Sequence, residues 1–539
     1  MAEKIVQIKS LPGIKRDGTK FEGDQYVDGQ WVRFQRGLPR KIGGYRAISK
    51  YLREVSRALN EYTQDSLTYV HSGSANFVER FYIDGSYNTS VITNRTPASL
   101  VQDDGNMWQF DVDTAAGLGG IQLVAQVAPN LGCLCNNSGG QLFYGNLLDT
   151  TALQEVTNLP TGYSLTGGVV ALHPYTFAFG NNGYVMWSVP GDPTDFTGTG
   201  SGAANITGQK IVRGMQLRGG PGNSPSGLFW SADSLLRASF VGGDAVFQFD
   251  TISAQSSILG ANTVIEYDGI FYWIGTDRFL MFNGVVREVP NDMNLNYFFD
   301  GINLQYRQKV FAVKVPRYGE IWWCYPRGDA TEPSHAVIYN VRENTWYDCE
   351  LPNGGRSAGI FTSVFPKPLM TGVVPNVGPE NIRATENNNT RITQNTNTRV
   401  TEDSEVEQYK LWVHEVGTDE IDGIDLQPVY SFFETADLSL PVSSQENKAI
   451  QVLMLEPDFV QSGDLTVRVV GRANARSPEV ETEEHVIVET PQTPQEQVVY
   501  FKTQRRELRF RFASNAIGGD YQMGLVLAHI QPADGTVIG

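Results

Sequence analysis

The stretch from Gly227 to Asp348 contains three copies of one pattern, and this pattern decides the fold. The copies read GLFWSADSLLRASFVGGDAVFQFDTIS (227–253), NTVIEYDGIFYWIGTDRFLMFNGVVREV (262–289) and GEIWWCYPRGDATEPSHAVIYNVRENTWYD (319–348). In each copy an apolar run ends in an aromatic pair, a polar turn follows, and further apolar runs come next. The pairs Phe229-Trp230, Tyr272-Trp273 and Trp322-Trp323 are 43 and 50 residues apart. Strand-turn-strand units at a spacing of about 40–50 residues are typical of the blades of a β-propeller.

The same rhythm continues outward from this stretch, from about residue 51 to residue 370. A blade cannot bury both of its faces alone, so such units come in rings. Three earlier units and the three central ones predict about six blades within residues 51–430, and irregular spacing leaves five or seven open. The earlier units comprise Leu67–Val70 with Phe77–Ile83, Leu142–Tyr144, and Tyr175–Phe179 with Tyr184–Trp187. We expect Trp230, Trp273 and Trp323 to be mostly buried between blades.

From Leu426 onward the pattern changes to longer alternating strands. In the segment ELRFRFAS, Leu508, Phe510 and Phe512 share one face while two arginines share the other, as in a half-buried antiparallel strand. Seven such strands in about 110 residues favour a small sandwich. The predicted fold class is therefore all-β: a β-propeller of about six blades with a C-terminal, β-sandwich-like antiparallel domain at 431–539.

A polar insertion interrupts the propeller pattern at residues 372–406. Its segment TENNNTRITQNTNTRVT (385–401) is rich in Asn and Thr and repeats itself after eight residues. Too little apolar surface is present here for a packed core. The sequence predicts a long loop or polar hairpin that projects from a blade.

Residues 1–50 are predicted to form an extended N-terminal docking arm. A local basic run lies in this arm of an otherwise acidic protein. The run is either a solvated strand edge protected by charge or a docking surface for an acidic partner or nucleic acid. Its candidate docking and interface residues are Arg33, Arg36, Arg40, Lys41 and Arg46.

The overall composition limits the possible functions. A net charge of −17 argues against a sequence-specific DNA-binding protein, which needs a basic footprint. It is compatible with a surface that DNA passes without adhering, because like charges repel. No apolar run is long enough for a membrane span, and the first residues lack the apolar core of a secretory signal.

The sequence contains no specific catalytic motif, and we expect a protein that is not an enzyme and has no cofactor or bound metal. HExxH, GxxxxGK[ST], GxSxG and EF-hand patterns are absent. The six histidines lack metal-ligand spacing, and Cys133-Leu-Cys135 is not a CxxC motif. The aspartates 103, 104, 111 and 113 could bind calcium, but their order fits an exposed turn better.

Three strings resemble the tail hub, or nozzle, proteins of short-tailed bacteriophages. DQYVDGQWVRFQRGLPRKIGGYRAIS (24–49) is similar to the N-terminal segment of that family. FVGGDAVFQFDTIS (240–253) with NTVIEYDGIFYWIGTDRFLMFNGVVREVP (262–290) resembles its middle blades. YKLWVHEVGTDEIDGIDLQPVYSFFETADL (409–438) resembles its last blade and the crossing into the C-terminal domain. The insertion at 372–406 has no counterpart.

The resemblance implies a structural virion protein that forms the distal tail channel, plugs packaged DNA and conducts it during ejection. It implies a homohexamer that contacts portal or adaptor proteins, tail fibres or tailspikes, double-stranded DNA without sequence specificity, and the host envelope. The protein would be located in the virion after synthesis in the host cytoplasm. Two alternatives remain: a virion-associated glycan-binding or glycan-cleaving propeller, and an intracellular scaffold propeller of kelch type, suggested by Tyr339–Trp346.

Overall fold

The computed structural model describes residues 3–20, 23–114, 118, 120–134, 139–217, 225–374, 408–438, 449–473 and 476–533. Nearly all regular structure is β-strand. The helical elements of the described chain are one α-helix, Leu295–Gly301, and short 3-10 turns that include Asn181–Gly183, Ala261–Thr263 and Leu304–Lys309. In these described ranges, no helix has the length and apolar character needed to cross a membrane.

Six antiparallel four-stranded sheets follow one another along the chain as blades 1 to 6 of a propeller. In each, successive strands are neighbours in the sheet, so every blade is a local meander. Blade 1 consists of Ala58–Gln64, Leu67–Gly73, Val78–Ile83 and Thr93–Asn94. Blade 2 consists of Asn106–Asp113, Gln122–Pro129, Gln141–Asn146 and Gln154–Glu155. Blade 3 consists of Gly168–Leu172, Tyr175–Phe179, Tyr184–Trp187 and Gly202–Asn205. Blade 4 consists of Ile211–Gln216, Ser226–Ser231, Leu235–Phe240 and Phe247–Ser253. Blade 5 consists of Ile265–Tyr267, Ile270–Ile274, Phe279–Phe282 and Val286–Glu288. Blade 6 consists of Phe311–Val315, Glu320–Tyr325, His335–Asn340 and Thr345–Glu350.

The tight turns of these meanders depend on residues that accept positive φ. In blade 5 the first hairpin pairs Tyr267 with Ile270 and turns at Asp268 and Gly269, which have φ values of 51° and 80°. Positive φ at both central residues gives a turn whose twist matches that of the flanking strands. The Asp-Gly dipeptide therefore sets the register of this blade.

A seventh blade closes the ring and joins the two ends of the propeller sequence. Its strands are Ala358–Phe361, Pro368–Val374, Gln408–His414, the N-terminal strand Tyr45–Leu52, Asp419–Asp422 and Asp425–Pro428, in that order. Its first strand contacts the first strand of blade 1. The sequence pattern indicated about six blades because this blade takes its fourth strand from outside the repeat.

The all-β fold class and the buried tryptophans are confirmed. Trp230, Trp273 and Trp323 are fully buried. Trp230 of blade 4 packs edge-to-face on Trp273 of blade 5, with ring centroids 5.7 Å apart. Trp323 of blade 6 donates its indole N–H to the Thr263 carbonyl, 2.8 Å away, in the turn before blade 5. The aromatic pairs thus form the interfaces between blades.

The C-terminal domain consists of three sheets, and each contains at least one strand from the N-terminal segment. The first sheet is Lys4–Gln7, Leu527–Pro532, Ile450–Glu456, Val499–Arg505. The second is Asp28–Gln30, Ser431–Glu434, Glu507–Ser514, Leu465–Arg472, Val480–Glu481. A further strand of this sheet, His485–Ile487, also pairs with Leu465–Arg472. The third is Phe459–Ser462, Asp520–Met523, Leu38–Lys41, Val32–Gln35. A separate parallel pair joins Leu11–Ile14 to Gln25–Tyr26.

This arrangement corrects the prediction that residues 1–50 form an extended docking arm. Four strands of this segment pair with the C-terminal domain or with blade 7, because their backbone groups complete sheets that would otherwise have open edges, and its other strands pair within the segment. One hydrophobic core includes Trp31 and Phe34 of the segment together with Trp322 and Tyr347 of blade 6 and Phe512 of the C-terminal domain. The segment therefore joins propeller and C-terminal domain into one core.

The insertion predicted at 372–406 begins at the end of the second strand of blade 7, Pro368–Val374. Residues 375–407, which contain the Asn/Thr repeat, lie outside the described residues. The predicted loop or hairpin therefore stays a prediction.

One carboxylate of the C-terminal domain yields a pH prediction. Burial raises the pKa of Asp437 to about 6, against the opposing effect of Arg509, whose guanidinium lies 3.8 Å away. Between the ordinary pKa of an aspartate and pH 6, the folded state binds more protons than the unfolded state, so stability falls as pH rises. We expect Asp437→Asn to remove this loss, which is at most about 3 kcal/mol. Urea unfolding of the wild-type protein and of Asp437→Asn at pH 4 to 7 measures the free energy of unfolding at each pH. If this free energy changes with pH in the same way in both proteins, the raised pKa does not belong to Asp437.

Candidate functional site

The basic run predicted as a docking surface lies on and after a β-hairpin formed by Val32–Gln35 and Leu38–Lys41. The hairpin turns at Arg36 and Gly37, which have φ values of 57° and 75°. The carboxylate of Glu343, in the outer turn of blade 6, accepts from both turn N–H groups at 2.6 and 3.1 Å. The tip of the hairpin is therefore held against the rim of the propeller.

Arg33 is not available for docking, because it is buried in an ion triad within the chain. Its side chain is 1% exposed. Its Nε lies 2.9 Å from Glu320 Oε1, and its two terminal nitrogens donate to both oxygens of Glu415 at 2.5 and 2.9 Å. Glu320 also accepts from the hydroxyl of Tyr347 at 2.6 Å. The triad connects the hairpin, blade 6 and the residue that follows the third strand of blade 7.

Lys41 is also buried and serves the interior of the C-terminal domain. Its ammonium donates to the carbonyl oxygen of Gly519 at 2.7 Å. Burial lowers the pKa of Lys41 to about 8, while Asp419 and Asp520 act in the opposite direction. The predicted docking role is thus corrected for two of the five residues, since both satisfy buried partners of their own chain.

The other three residues, Arg36, Arg40 and Arg46, reach the surface at two places. Arg36 is exposed at the hairpin tip, and the half-buried Arg40 donates to Gln35 Oε1 at 2.9 Å. Arg46 is exposed on the N-terminal strand of blade 7, with its guanidinium 5.6 Å from the ring centre of Tyr87.

Blade 6 adds two exposed arginines beside the hairpin that the sequence did not indicate. The guanidinium carbons of Arg40 and Arg317 lie 5.8 and 5.3 Å from the ring centre of Tyr318. Arg342 donates to the carbonyls of Arg317 and Pro316 at 3.0 and 2.8 Å. We call Arg36, Arg40, Arg317 and Arg342 the arginine patch. Within the described chain, no salt bridge joins any member to an acidic side chain.

The central channel of the propeller is a second candidate site. The first strands of every blade except blade 3 line a cavity of about 380 Å³ in it, which is the size of a small-ligand pocket. Two of its charged groups are paired: Lys314 lies 3.3 Å from Glu266, and Arg57 lies 2.6 Å from Glu332 at the rim. Arg213 and Glu61 also line the cavity, and neither forms a salt bridge within the described chain.

One end of the channel contains a cluster of polar side chains that looks like a catalytic relay but has the wrong geometry for one. His173 Nδ1 lies 2.8 Å from the hydroxyl of Thr114 and 3.5 Å from Asp113. A relay needs the nucleophile and the carboxylate on opposite ring nitrogens, whereas here both approach Nδ1. Asp113 also accepts from the hydroxyl of Thr176 at 2.5 Å. These contacts hold the blade 2 and blade 3 strands together.

Metal binding was expected to be absent. Among the residues that the structure describes, no group of three His, Cys, Asp or Glu side chains could hold a metal ion. Of the aspartates considered as calcium ligands, Asp103 accepts from the backbone of Gly105 at 2.8 Å in a turn, while Asp111 accepts from Ala171 at 2.8 Å in blade 3. Each has a structural partner of its own.

Comparisons with known proteins give the chain no family. No family model matches it, and no curated protein does. Among solved structures, it is similar to the WD40 β-propeller domain of Doa1, with 11% identity, a TM-score of 0.35, and 61% of this chain and 93% of that one covered. It is also similar to the computationally designed protein Ika8, with 10% identity, a TM-score of 0.33, and 61% and 96% covered. The evidence for the propeller is therefore the series of sheets described above.

Proposed function

We propose that this chain is a structural virion protein that forms the distal tail channel of a short-tailed bacteriophage. The observation that carries the proposal is the placement of the family-like segment 24–49. It contributes strands to the C-terminal domain and to blade 7, and its tip lies on blade 6. A subunit made rigid in this way suits a channel through which DNA is driven under load.

In this proposal the DNA passes between subunits and not through the propeller. A cavity of about 380 Å³ cannot admit a duplex whose major groove alone is about 12 Å wide. The conduit would be the lumen of a homohexameric ring, located below portal or adaptor proteins and in contact with fibres or tailspikes. The surplus of acidic residues, a net charge of −17, would keep phosphates from adhering to the wall.

The proposed role is mechanical, and we do not assign an enzymatic activity, cofactor or metal to it. The protein would act in the virion, first retaining the packaged DNA and then conducting it toward the host envelope. The arginine patch would dock the neighbouring ring or subunit, since an exposed cationic surface on an acidic protein favours an acidic partner.

The experiment that tests this function neutralises three of the four members of the arginine patch. Particles with Arg36→Gln, Arg40→Gln and Arg317→Gln should package DNA but lack this tail component or leak DNA, while the isolated variant keeps its unfolding midpoint. The matched control is Arg237→Gln, Arg278→Gln and Arg287→Gln, which removes the same charge from exposed sites on blades 4 and 5. Particles of the triple patch variant that carry the normal amount of protein and eject normally would exclude the docking role.

Assembly state separates the tail-channel proposal from the alternatives. Electron microscopy of the purified protein should reveal a six-fold ring with a central pore. The small-ligand size of the propeller cavity favours one alternative, a glycan-binding or glycan-cleaving propeller. A monomeric disc that binds or cleaves a host surface glycan would replace the tail-channel proposal with that one.

A further inference from the structure

The seam between blades 1 and 2 contains three buried basic side chains, His71, Arg80 and Arg95, which we call the seam cluster. Arg80 and His71 are directly opposite on adjacent strands of blade 1. Arg95 follows the last strand of that blade, and its Nη1 lies 2.9 Å from His71 Nε2. His71 and Arg95 are fully buried, and Arg80 is 8% exposed.

The positive charge of the seam cluster lacks a compensating carboxylate. Both arginines carry a charge at any pH at which the protein folds. In the described chain, neither Arg80 nor Arg95 is within salt-bridge distance of an acidic group. Asp149, the acidic residue whose charge acts on both arginines, does not form a salt bridge with either. A buried charge without a partner is strongly destabilising.

The hydrogen-bond donors of the seam cluster are also incompletely used. Arg95 donates through Nε to the Thr151 carbonyl at 2.8 Å, yet its Nη2 has no acceptor in the described chain. Arg80 Nε has none there either. Because His71 Nε2 accepts from Arg95, the neutral ring carries its proton on Nδ1, which is likewise without an acceptor. Buried donors are normally satisfied, so these three indicate a missing acceptor.

We propose that the seam cluster binds a small monovalent anion of the size of chloride between blades 1 and 2. One anion between the two guanidiniums supplies both the missing negative charge and an acceptor for the free donors of Arg80 and Arg95. The complete burial of Arg95 excludes a carboxylate from a partner protein, which could not reach it without separating the blades. The small size follows from the full burial of His71 and Arg95.

Arg356, in blade 7, provides a matched comparison. It is also buried and also donates to a histidine, His414, at 3.1 Å. Its guanidinium, however, lies 5.2 Å from the ring centres of both Tyr45 and Trp412 and donates to the carbonyls of residues 352 and 355. Two aromatic faces and two carbonyls thus surround that guanidinium, although its Nη2 also has no acceptor in the described chain. The seam cluster has one ring, Tyr69 at 4.9 Å from Arg80, and one carbonyl, that of Thr151.

Thermal unfolding in sodium gluconate, with chloride replacing gluconate at constant ionic strength, tests the proposal. We expect the midpoint of the wild-type protein to rise by about 2–4 °C and to saturate, as binding to the folded state requires. Arg80→Met should abolish the saturable rise, whereas Arg356→Met should retain it although its midpoint is lower. Crystals soaked in sodium bromide should give an anomalous peak between Arg80 and Arg95.

The two measurements decide the proposal even if Arg80→Met does not fold. A wild-type midpoint that changes linearly or not at all with chloride overturns it, because a site of this kind saturates. A seam without a bromide peak also overturns it, and water would then satisfy the free donors. A saturable rise that persists in Arg80→Met would place the anion elsewhere and would overturn the assignment to the seam cluster.

Discussion

Arg33→Gln is expected to lower the free energy of unfolding by about 3–5 kcal/mol, which is the cost of removing one partner of a buried ion pair. The substitution leaves Glu320 fully buried with a raised pKa and only neutral donors, the indole of Trp322 and the hydroxyl of Tyr347. It also removes the two hydrogen bonds to Glu415. Urea denaturation followed by circular dichroism measures the loss.

Arg36→Gln is the control for this prediction, because Arg36 lies on the same hairpin but is exposed. A surface substitution of this kind should change the free energy of unfolding by less than about 0.5 kcal/mol. A double variant, Arg33→Met with Glu320→Gln, should recover part of the loss, since the fully buried position 320 is then neutral and only Glu415, whose side chain is 9% exposed, stays unpaired. If Arg33→Gln and Arg36→Gln unfold at the same urea concentration, the triad does not hold the hairpin to the propeller.

Trp273→Ala is expected to cost about 3–5 kcal/mol as well, through a cavity between blades 4 and 5. Trp273 is fully buried, packs on Trp230, and donates its indole N–H to the carbonyl of Ser257 at 3.0 Å. The substitution removes this contact area and leaves the Ser257 carbonyl without its donor. Val285→Ala, at an exposed position in the last turn of blade 5, is the control and should be nearly neutral.

Both variants should be measured by the same chemical denaturation at equal protein concentration, because an oligomer's midpoint depends on concentration. An unchanged midpoint for Trp273→Ala would mean that the blade interface relaxes into the vacated space and that the aromatic pair is not a core element. A loss in which the slope against urea also changes would indicate that the propeller and the C-terminal domain no longer unfold together.

Blades 1 to 6 could be predicted from the sequence because each is a local meander. The pattern of Phe229-Trp230 and its counterparts repeats within one blade, and every strand pairs with its neighbour in sequence. Blade 7 could not be counted in the same way, because Tyr45–Leu52 pairs with Gln408–His414. No local signal in residues 45–52 distinguishes a strand that closes a ring from an extended arm.

The candidate site shows the same limit for charged residues. Arg33 stands between two apolar residues, as an exposed strand residue does, and Lys41 directly follows another basic residue. Only their partners reveal that both are buried. Those partners, Glu320, Glu415 and Gly519, are hundreds of residues away in the sequence. The arginine patch is likewise assembled from separate segments, so the sequence could indicate Arg36 and Arg40 but not the contribution of blade 6.

The pairing of the N-terminal strand with the third strand of blade 7 has a consequence for biosynthesis. Tyr45–Leu52 emerges from the ribosome roughly 360 residues before Gln408–His414 does. At about 5–20 residues per second, this strand waits on the order of 20–70 s for its partner. Strand Lys4–Gln7 waits still longer, until Leu527–Pro532 has been made. Nascent chains thus carry unpaired strand edges for most of translation, and closure of the propeller ring is a late event in synthesis.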